Sequence, residues 1–283
     1  MHNQNRPPVP LNNPTTIVAR ARTVLICHDD EPLNRHALAR WMASFTDLAG
    51  IVVIQEPKSR LWRRVKREIK RVGIFRFPDV LAFRLYSRIV LHPGDEGWTN
   101  RTLHELQHRY PEIPSSTRIL VTPSPNSPAT QTFLQSIHPD IILARCKHLL
   151  NRRIFGQAKI GTFVMHPGIC PEYRNAHGCF WALATRDTGN VGMTLLKIDA
   201  GVDTGPVYGY YRCDYDEVAE SHNIIQARVV FDNLDALRDK FGELIAGTAV
   251  PIDTTGRQSR AWGQPWLSAY LQWKRVARAQ RRS

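Results

Sequence analysis

Short, nearly unbroken apolar runs alternate along this chain with stretches whose apolar residues return every three to four positions. Runs at 23–27, 50–55, 118–121, 140–144 and 191–198, and another ending at His166, are too short for buried helices and predict strands. Between them the spacing predicts helices over about 33–45, 99–109 and 129–137. A long helix is expected from a Ser221 cap to Gly247, with Phe231, Leu234, Leu237, Phe241 and Leu244 on its inner face. Strands alternating with helices predict an α/β fold: a Rossmann-like, mostly parallel sheet with helices on both faces. Trp62, Val65, Ile69 and Val72 repeat at helical spacing and are followed by a second apolar-basic stretch at 80–91. Together they predict a basic helical insertion over about 58–92, longer than a usual βα connection.

The 283 residues suffice for one large or two small domains with an ample core. The expected organisation is a disordered polar arm at 1–20, a main domain at 21–247 and a basic aromatic tail at 248–283. A content of 42% hydrophobic and 22% charged residues is that of an ordinary globular protein. No apolar run approaches membrane-spanning length, and the Asn- and Pro-rich start lacks an apolar signal core, so a cytoplasmic protein is expected. Five cysteines, odd in number and without C-x-x-C spacing, read as free thiols and not as a disulfide framework or zinc site. The net charge of +13 is concentrated, with eight Lys/Arg against one Glu at 58–71 and five Lys/Arg without an acid at 274–282. A basic amphipathic helix can bind RNA, an acidic membrane surface or a phosphorylated ligand; a core-packed helix with a solvated face is the plainer reading. Trp262, Trp266, Tyr270 and Trp273 beside arginines can stack nucleobases, and a tail folded back on the core is again plainer.

The densest candidate chemistry lies between Phe163 and Tyr210. One apolar strand delivers His166 into a Pro/Gly turn, and thirty-seven residues later another delivers Asp203 into a Gly-rich turn. Loops beyond the carboxyl ends of strands in an open α/β sheet hold ligands, so the two side chains can face one pocket. An imidazole can relay protons near neutral pH and a carboxylate can orient it. A separate His104-Glu105-Leu106-Gln107-His108 run matches the helical H-E-x-x-H zinc pattern, but no third ligand stands at suitable spacing, and no metal is expected.

His166-Pro167, Pro171, Tyr173-Arg174, Trp181-Ala182, Gly192-Met193-Thr194 and the run Asp199 to Gly205 form a specific set. The block resembles the folate-dependent formyltransferases, the superfamily of glycinamide ribonucleotide formyltransferase and methionyl-tRNA formyltransferase. The resemblance is good over about 139–210, looser back to residue 22, and general in helix pattern past 220. It implies transfer of the formyl group of 10-formyltetrahydrofolate onto an amine, with His166 stabilising the oxyanion and Asp203 setting its protonation. The family's Asn-x-His pattern puts Val164 where the catalytic amide belongs, and losing one such donor typically costs ~10²- to 10³-fold in turnover. Asn175 in the following loop can substitute for that amide, and His177 takes either a substrate-side role or a structural hydrogen bond. The resemblance places the donor's pterin between Lys147, His148, Leu149 and Leu150 on one side and Asp199, Ala200, Gly201 and Val202 on the other.

In the purine enzymes the first βα loop is glycine-rich and its amides hold a phosphate. Here it reads His28-Asp29-Asp30-Glu31-Pro32, whose three carboxylates would repel a phosphate and either recognise a cationic amine or cap the next helix. The expected partner is therefore a small amine, possible acceptors including an amino-sugar nucleotide, ahead of a nucleic acid. Three alternatives stand beside it: a formyltetrahydrofolate hydrolase, a folate- or nucleotide-binding protein with impaired catalysis, and a methionyl-tRNA formyltransferase.

Overall fold

The computed structural model of the chain describes residues 20–56 and 73–282. The expected arm up to residue 19 and the basic run at 58–71 lie outside the described residues.

Seven strands form one sheet among the described residues: β1 (Arg22–His28), β2 (Asp47–Ile54), β3 (Arg118–Thr122), β4 (Ile141–Arg145), β5 (Gly161–His166), β7 (Met193–Lys197) and β8 (Val207–Tyr211). Their order is β3-β2-β1-β4-β5-β7-β8. Strands β1, β2 and β4 carry side chains buried on both faces, as parallel strands covered by helices require. The chain builds outward from β1 through β2 to β3, then returns to pair β4 with the other side of β1. That reversal opens a crevice beyond the carboxyl ends of β1 and β4, where α/β sheets bind ligands. β3 is an edge, with Ile119 and Val121 exposed.

The helices are α1 (Ala39–Phe45), α2 (Phe77–Tyr86), α3 (His92–Arg109), α4 (Pro128–Ile137), α5 (Arg152–Phe155), α6 (Gly178–Ala184), α7 (His222–Phe231), α8 (Leu234–Ala246) and α9 (Leu267–Gln280). One apolar cluster joins one face of the sheet to Trp41, Phe180, Phe241 and Trp273; a second packs Phe133, Leu134 and Ile137 of α4 against Val24, Ile26 and Ile142.

Three features differ from the pattern-based expectation. The helix expected from about 99 begins at His92 and joins α2 through a π-helical turn at Ser87–Leu91. Pro93 falls in the first turn of α3, directly after that π-helical turn. The single helix expected from Ser221 to Gly247 is two. Ser221 accepts from the N–H groups of Asn223 and Ile224 and Gly247 closes the far end with φ 72°, as expected. At Asp232-Asn233 the path breaks, and the Asn233 amide donates to the carbonyls of Arg212 and Val229, the local competition that makes Asn a poor helix interior. Finally, β7 runs antiparallel to β5, so the loop after it starts at the opposite end of the sheet from His166, beside Thr162.

Candidate active site

His166 is the last residue of β5 and Val164 points to the same face two residues earlier, the alternation a strand imposes. The His166 ring is fixed at both nitrogens. Nε2 lies 2.7 Å from the Tyr173 carbonyl oxygen, which can only accept, so Nε2 carries a proton. Nδ1 faces Asp203 Oδ2 at 3.5 Å. Gly168 is required beneath this ring: a Cβ there would stand 2.5 Å from the Tyr173 carbonyl oxygen and 2.8 Å from Nε2.

Asp203 reaches His166 although its loop begins at the wrong end of the sheet, because the loop folds back over the face. Gly205 packs against the Lys197 carbonyl with no room for a Cβ, and Thr204 Oγ1 and the Gly201 N–H both donate to Asp199. Arg174 Nη1 donates to the Val202 carbonyl at 2.9 Å, and the Asn175 N–H donates to Asp203 Oδ2 at 2.7 Å. The sequence reading brought His and Asp to one pocket by treating both loops as carboxyl-end loops; the pair meets, but by this fold-back.

Both line a cavity of about 740 Å³, within the range of small-molecule sites. Asp30 to Asn34 border it on one side, Ala144 to Leu150 on another, and Asp199 to Asp203 on a third. Lys147, His148, Leu149, Leu150, Asp199, Ala200, Gly201 and Val202 thus surround one space, with Val164, Leu196 and Ile198 as an apolar wall. Leu150 is buried and Leu149 is 67% exposed. The Leu149 carbonyl accepts from Asn126, which fixes the backbone of this segment. Burial pushes the Cys146 thiol up to about 11, so it is held as an inert neutral group in the wall.

Other expected site residues have different tasks. The Asn175 side-chain amide donates to the Trp262 carbonyl, so it is committed to the tail and the residue serves Asp203 through its backbone. Asn175 and His177 both hold left-handed backbone, φ 75° and 58°, conformations seen when a site over-determines the chain. Burial, then Lys147 and Arg84, push the His177 imidazole down to about 4 against a hydrogen bond to Gln264, so it is neutral near pH 7. The acidic loop is not an open anionic receptor. Asp29 pairs with Arg35 and accepts from Gln55, while Glu31 meets Lys147 Nζ at 2.7 Å and accepts from Asn34 at 2.6 Å. Burial pushes the Glu31 carboxyl up, but Lys147, Arg145 and Asn34 more than offset it and hold it below its ordinary range. Of the three carboxylates only those of Asp30 and Glu31 border the cavity, so the expected repulsion of a phosphate by all three does not follow.

Sequence reasoning missed Arg145 and Gln264, and took Trp262 only as one of the tail's aromatics. Arg145 Nε donates to Asn34 at 3.1 Å and Nη1 to the Met165 carbonyl, clamping β4 to β5 at the mouth of the cavity. Trp262 and Gln264 arrive from the tail, nearly ninety residues away in sequence. The two-residue pairing of β6 (Arg174–Asn175) with β9 (Ala261–Trp262) brings them in, and no local spacing signals it. The helical His104 and His108 are 3.1 Å apart at Nε2, and among the described residues no group of three or more potential ligands gathers there or elsewhere. No helix among the described residues is long and apolar enough to cross a membrane.

Residues 102–240, which contain His166, Asp203 and most of the cavity wall, match the family model described as Formyl transferase. The chain is similar to methionyl-tRNA formyltransferases of Dehalococcoides mccartyi, 35% identical over 82 residues, and Sorangium cellulosum, 33% over 102. These matches cover 29% and 34% of this chain but only 26% and 32% of the relatives, so it spans about a quarter to a third of their length. Its fold resembles a sugar N-formyltransferase from a Shewanella species, with TM-score 0.51, 12% identity, and 86% of this chain and 76% of that one covered. A 4-N formyltransferase from Francisella tularensis gives 0.51 at 10% identity, covering 91% and 87%. Glycinamide ribonucleotide transformylase 1 from Symbiobacterium toebii gives 0.50 at 13%, covering 86% and 94%.

Proposed function

From the premise that the chain belongs to the formyltransferase superfamily, we propose that it transfers the formyl group of 10-formyltetrahydrofolate to a small amine, using His166 and Asp203 without an amide at position 164. The observation that carries this reading is the His166–Asp203 pair, brought together by a loop folded back across the sheet and set into one cavity with the apolar wall.

The cavity suits the donor: a flat apolar wall of Leu150, Val164 and Ile198 faces backbone-rich segments at 147–150 and 199–202 that can pair with a pterin's edge. The bound donor supplies an electrophilic formyl carbon. The remaining chemistry is proton handling by this chain. With Nε2–H held by Tyr173, His166 has one nitrogen to offer, and Nδ1 bearing a proton donates to the formyl oxygen as its charge develops. Asp203, oriented by the Asn175 N–H, takes up the proton released by the attacking amine and returns it to the donor's nitrogen as the bond from that nitrogen to the formyl carbon breaks and tetrahydrofolate leaves. His166 is buried, which limits the access of water to its ring.

A second reading, folate binding without transfer, is favoured by Val164 alone. Its side chain packs with Cys170, Leu196 and Val207 and offers no donor. One experiment separates the two. Tetrahydrofolate appearance is followed with amino-sugar nucleotides, glycinamide ribonucleotide, amino acids, polyamines and initiator tRNA as acceptors. Amine-dependent turnover that falls about 10²-fold or more in both His166→Ala and Asp203→Asn supports transfer. Formate release without any amine would make it a hydrolase, and folate binding without turnover across the panel would favour the second reading.

A further inference from the structure

Beyond the cavity that holds His166 lies a smaller one of about 370 Å³, lined by Phe83, Arg84, Ser87, Arg88, His92, Asp95 and Pro265 together with His177, His222, Asn223 and Gln264. The two are contiguous: His177, Asn223 and Gln264 line both. Helix α3 spans them, placing Asp95 in the smaller cavity and Thr99, one turn later, in the larger.

The lining of the smaller cavity is cationic. Arg84 and Arg88 are four residues apart on one helical face, both exposed. The acid among the lining residues is already engaged, since Asp95 Oδ1 accepts from Ser221 Oγ at 2.5 Å and Oδ2 from Asn223 Nδ2 at 2.8 Å. His222 is 1% exposed, and its Nδ1 has no hydrogen-bond partner; the Nδ1 of His177 is in the same condition. Buried polar nitrogens without partners are uncommon in folded proteins and ask for a reason, and a ligand in the space they border provides one.

We infer that the smaller cavity is the oxyanion end of the acceptor site: Arg84 and Arg88 hold a phosphate group of the amine acceptor while its amine lies at His166. The inference rests on the formyl-transfer reading for the amine, but not for the anion. Paired guanidinium groups suit a phosphate because each offers two parallel N–H donors to two oxygens. The site lies on the helical insertion, apart from the acidic loop after β1, so the chain meets an anionic acceptor there although that loop has no glycine-rich phosphate cradle.

Calorimetric titration of inorganic pyrophosphate into the full chain at fixed ionic strength tests it. The double variant Arg84→Gln/Arg88→Gln should bind about tenfold or more weakly than wild type, whereas Arg153→Gln/Arg275→Gln, which removes the same charge elsewhere, should stay within about twofold. Glutamine keeps helix propensity close to that of arginine, and an unchanged thermal midpoint without ligand verifies folding. Arg88→Gln alone, with an intermediate loss, supports the site if the double variant is unstable. Equal binding by wild type and Arg84→Gln/Arg88→Gln, equal loss in both doubles, or no binding to wild type overturns the inference. His166→Ala must still bind pyrophosphate. If it does and the insertion variant does not, yet no amine is formylated, the anion site stands and the transfer reading falls. If an acceptor is formylated and Arg84→Gln/Arg88→Gln leaves its KM unchanged, transfer stands and the anion site falls. The supporting outcome is a KM raised about tenfold with kcat within about twofold.

Discussion

At the scale of single residues, the cavity is defined as much by Val164 as by His166. The two side chains share a face of β5, so an amide at 164 would project into the same space as the imidazole. Val164→Asn should therefore raise turnover, by up to ~10²- to 10³-fold if the missing donor limits the rate. Its site is partly apolar but borders the cavity, so the amide can be solvated when no ligand is bound. The measurement is kcat with the best acceptor of the panel. An unchanged kcat, with folate affinity intact, would mean that another group already stabilises the oxyanion. Two other residues set a pH response. Burial pushes His177 down to about 4 and His222 well below its ordinary value, with Lys147 adding to the effect at His177, and His177 and Lys274 adding to it at His222. A histidine whose folded pKa lies below its unfolded value of roughly 6.5 binds fewer protons folded than unfolded in between. Its stabilising contribution is complete above about 6.5 and is lost as pH falls toward 4. Urea midpoints at pH 7.5, 5.5 and 4.5 should fall in that order, and His222→Gln should flatten the slope; an identical slope would remove His222 from the account.

At the scale of elements, the insertion and the tail are pinned to the sheet domain by rings. Phe83 of α2 lies 5.8 Å from Phe180, 5.3 Å from His222 and 5.5 Å from Tyr270. Trp262 stacks on Tyr173 at 5.5 Å and on Trp181 at 4.9 Å, with Arg260 over it at 3.8 Å, so those aromatics are occupied by one another and do not form an open platform for bases. Arg257 forks onto both oxygens of Glu172, and Trp181 Nε1 donates to the Gly263 carbonyl. Helix α9 closes the assembly with Trp273, fully buried, donating to Glu217 at 2.8 Å, and with Lys274 Nζ donating to the carbonyls of Glu217 and Glu220. Trp273→Ala should cost about 3–5 kcal/mol in urea unfolding, because it leaves a large cavity and takes one donor from Glu217, which keeps only its pairing with Arg186. Because the tail also holds Asn175, the same change should loosen Asp203 and lower folate affinity. Full stability in that variant would show that α9 is dispensable.

At the scale of the whole molecule, the cavity system is a seam between four parts of the chain. The sheet supplies His166, the hairpin loop after β7 supplies Asp203, and the insertion and tail supply Arg84, Arg88 and Gln264. The contiguous cavities give an acceptor a defined direction, with amine at the sheet and anion at the insertion. An acceptor lacking an oxyanion should therefore bind more weakly than its phosphorylated counterpart, a difference that Arg84→Gln/Arg88→Gln should abolish.

The sequence by itself determined six of the seven strands of the main sheet, the helix ends near 45, 109, 137 and 247, the α/β class, and His166 and Asp203 as a candidate pair, because all of these depend on local spacing and on a compact motif. The absent amide was legible only through the resemblance, whose pattern puts an Asn two residues before the histidine, a position on the same face of the strand. Local pattern could not give the direction of β7, since an apolar run reads alike in a parallel and an antiparallel strand, nor the break at Asp232-Asn233, where an amide chose partners in another segment. The pairing of Glu31 with Lys147, the engagement of Asn175 by Trp262 and the joining of two cavities at His177 were decided only by the tertiary structure. Each is a contact made when ordering distant segments becomes favourable through shared burial, and burial is a property of the folded whole and not of any stretch of chain.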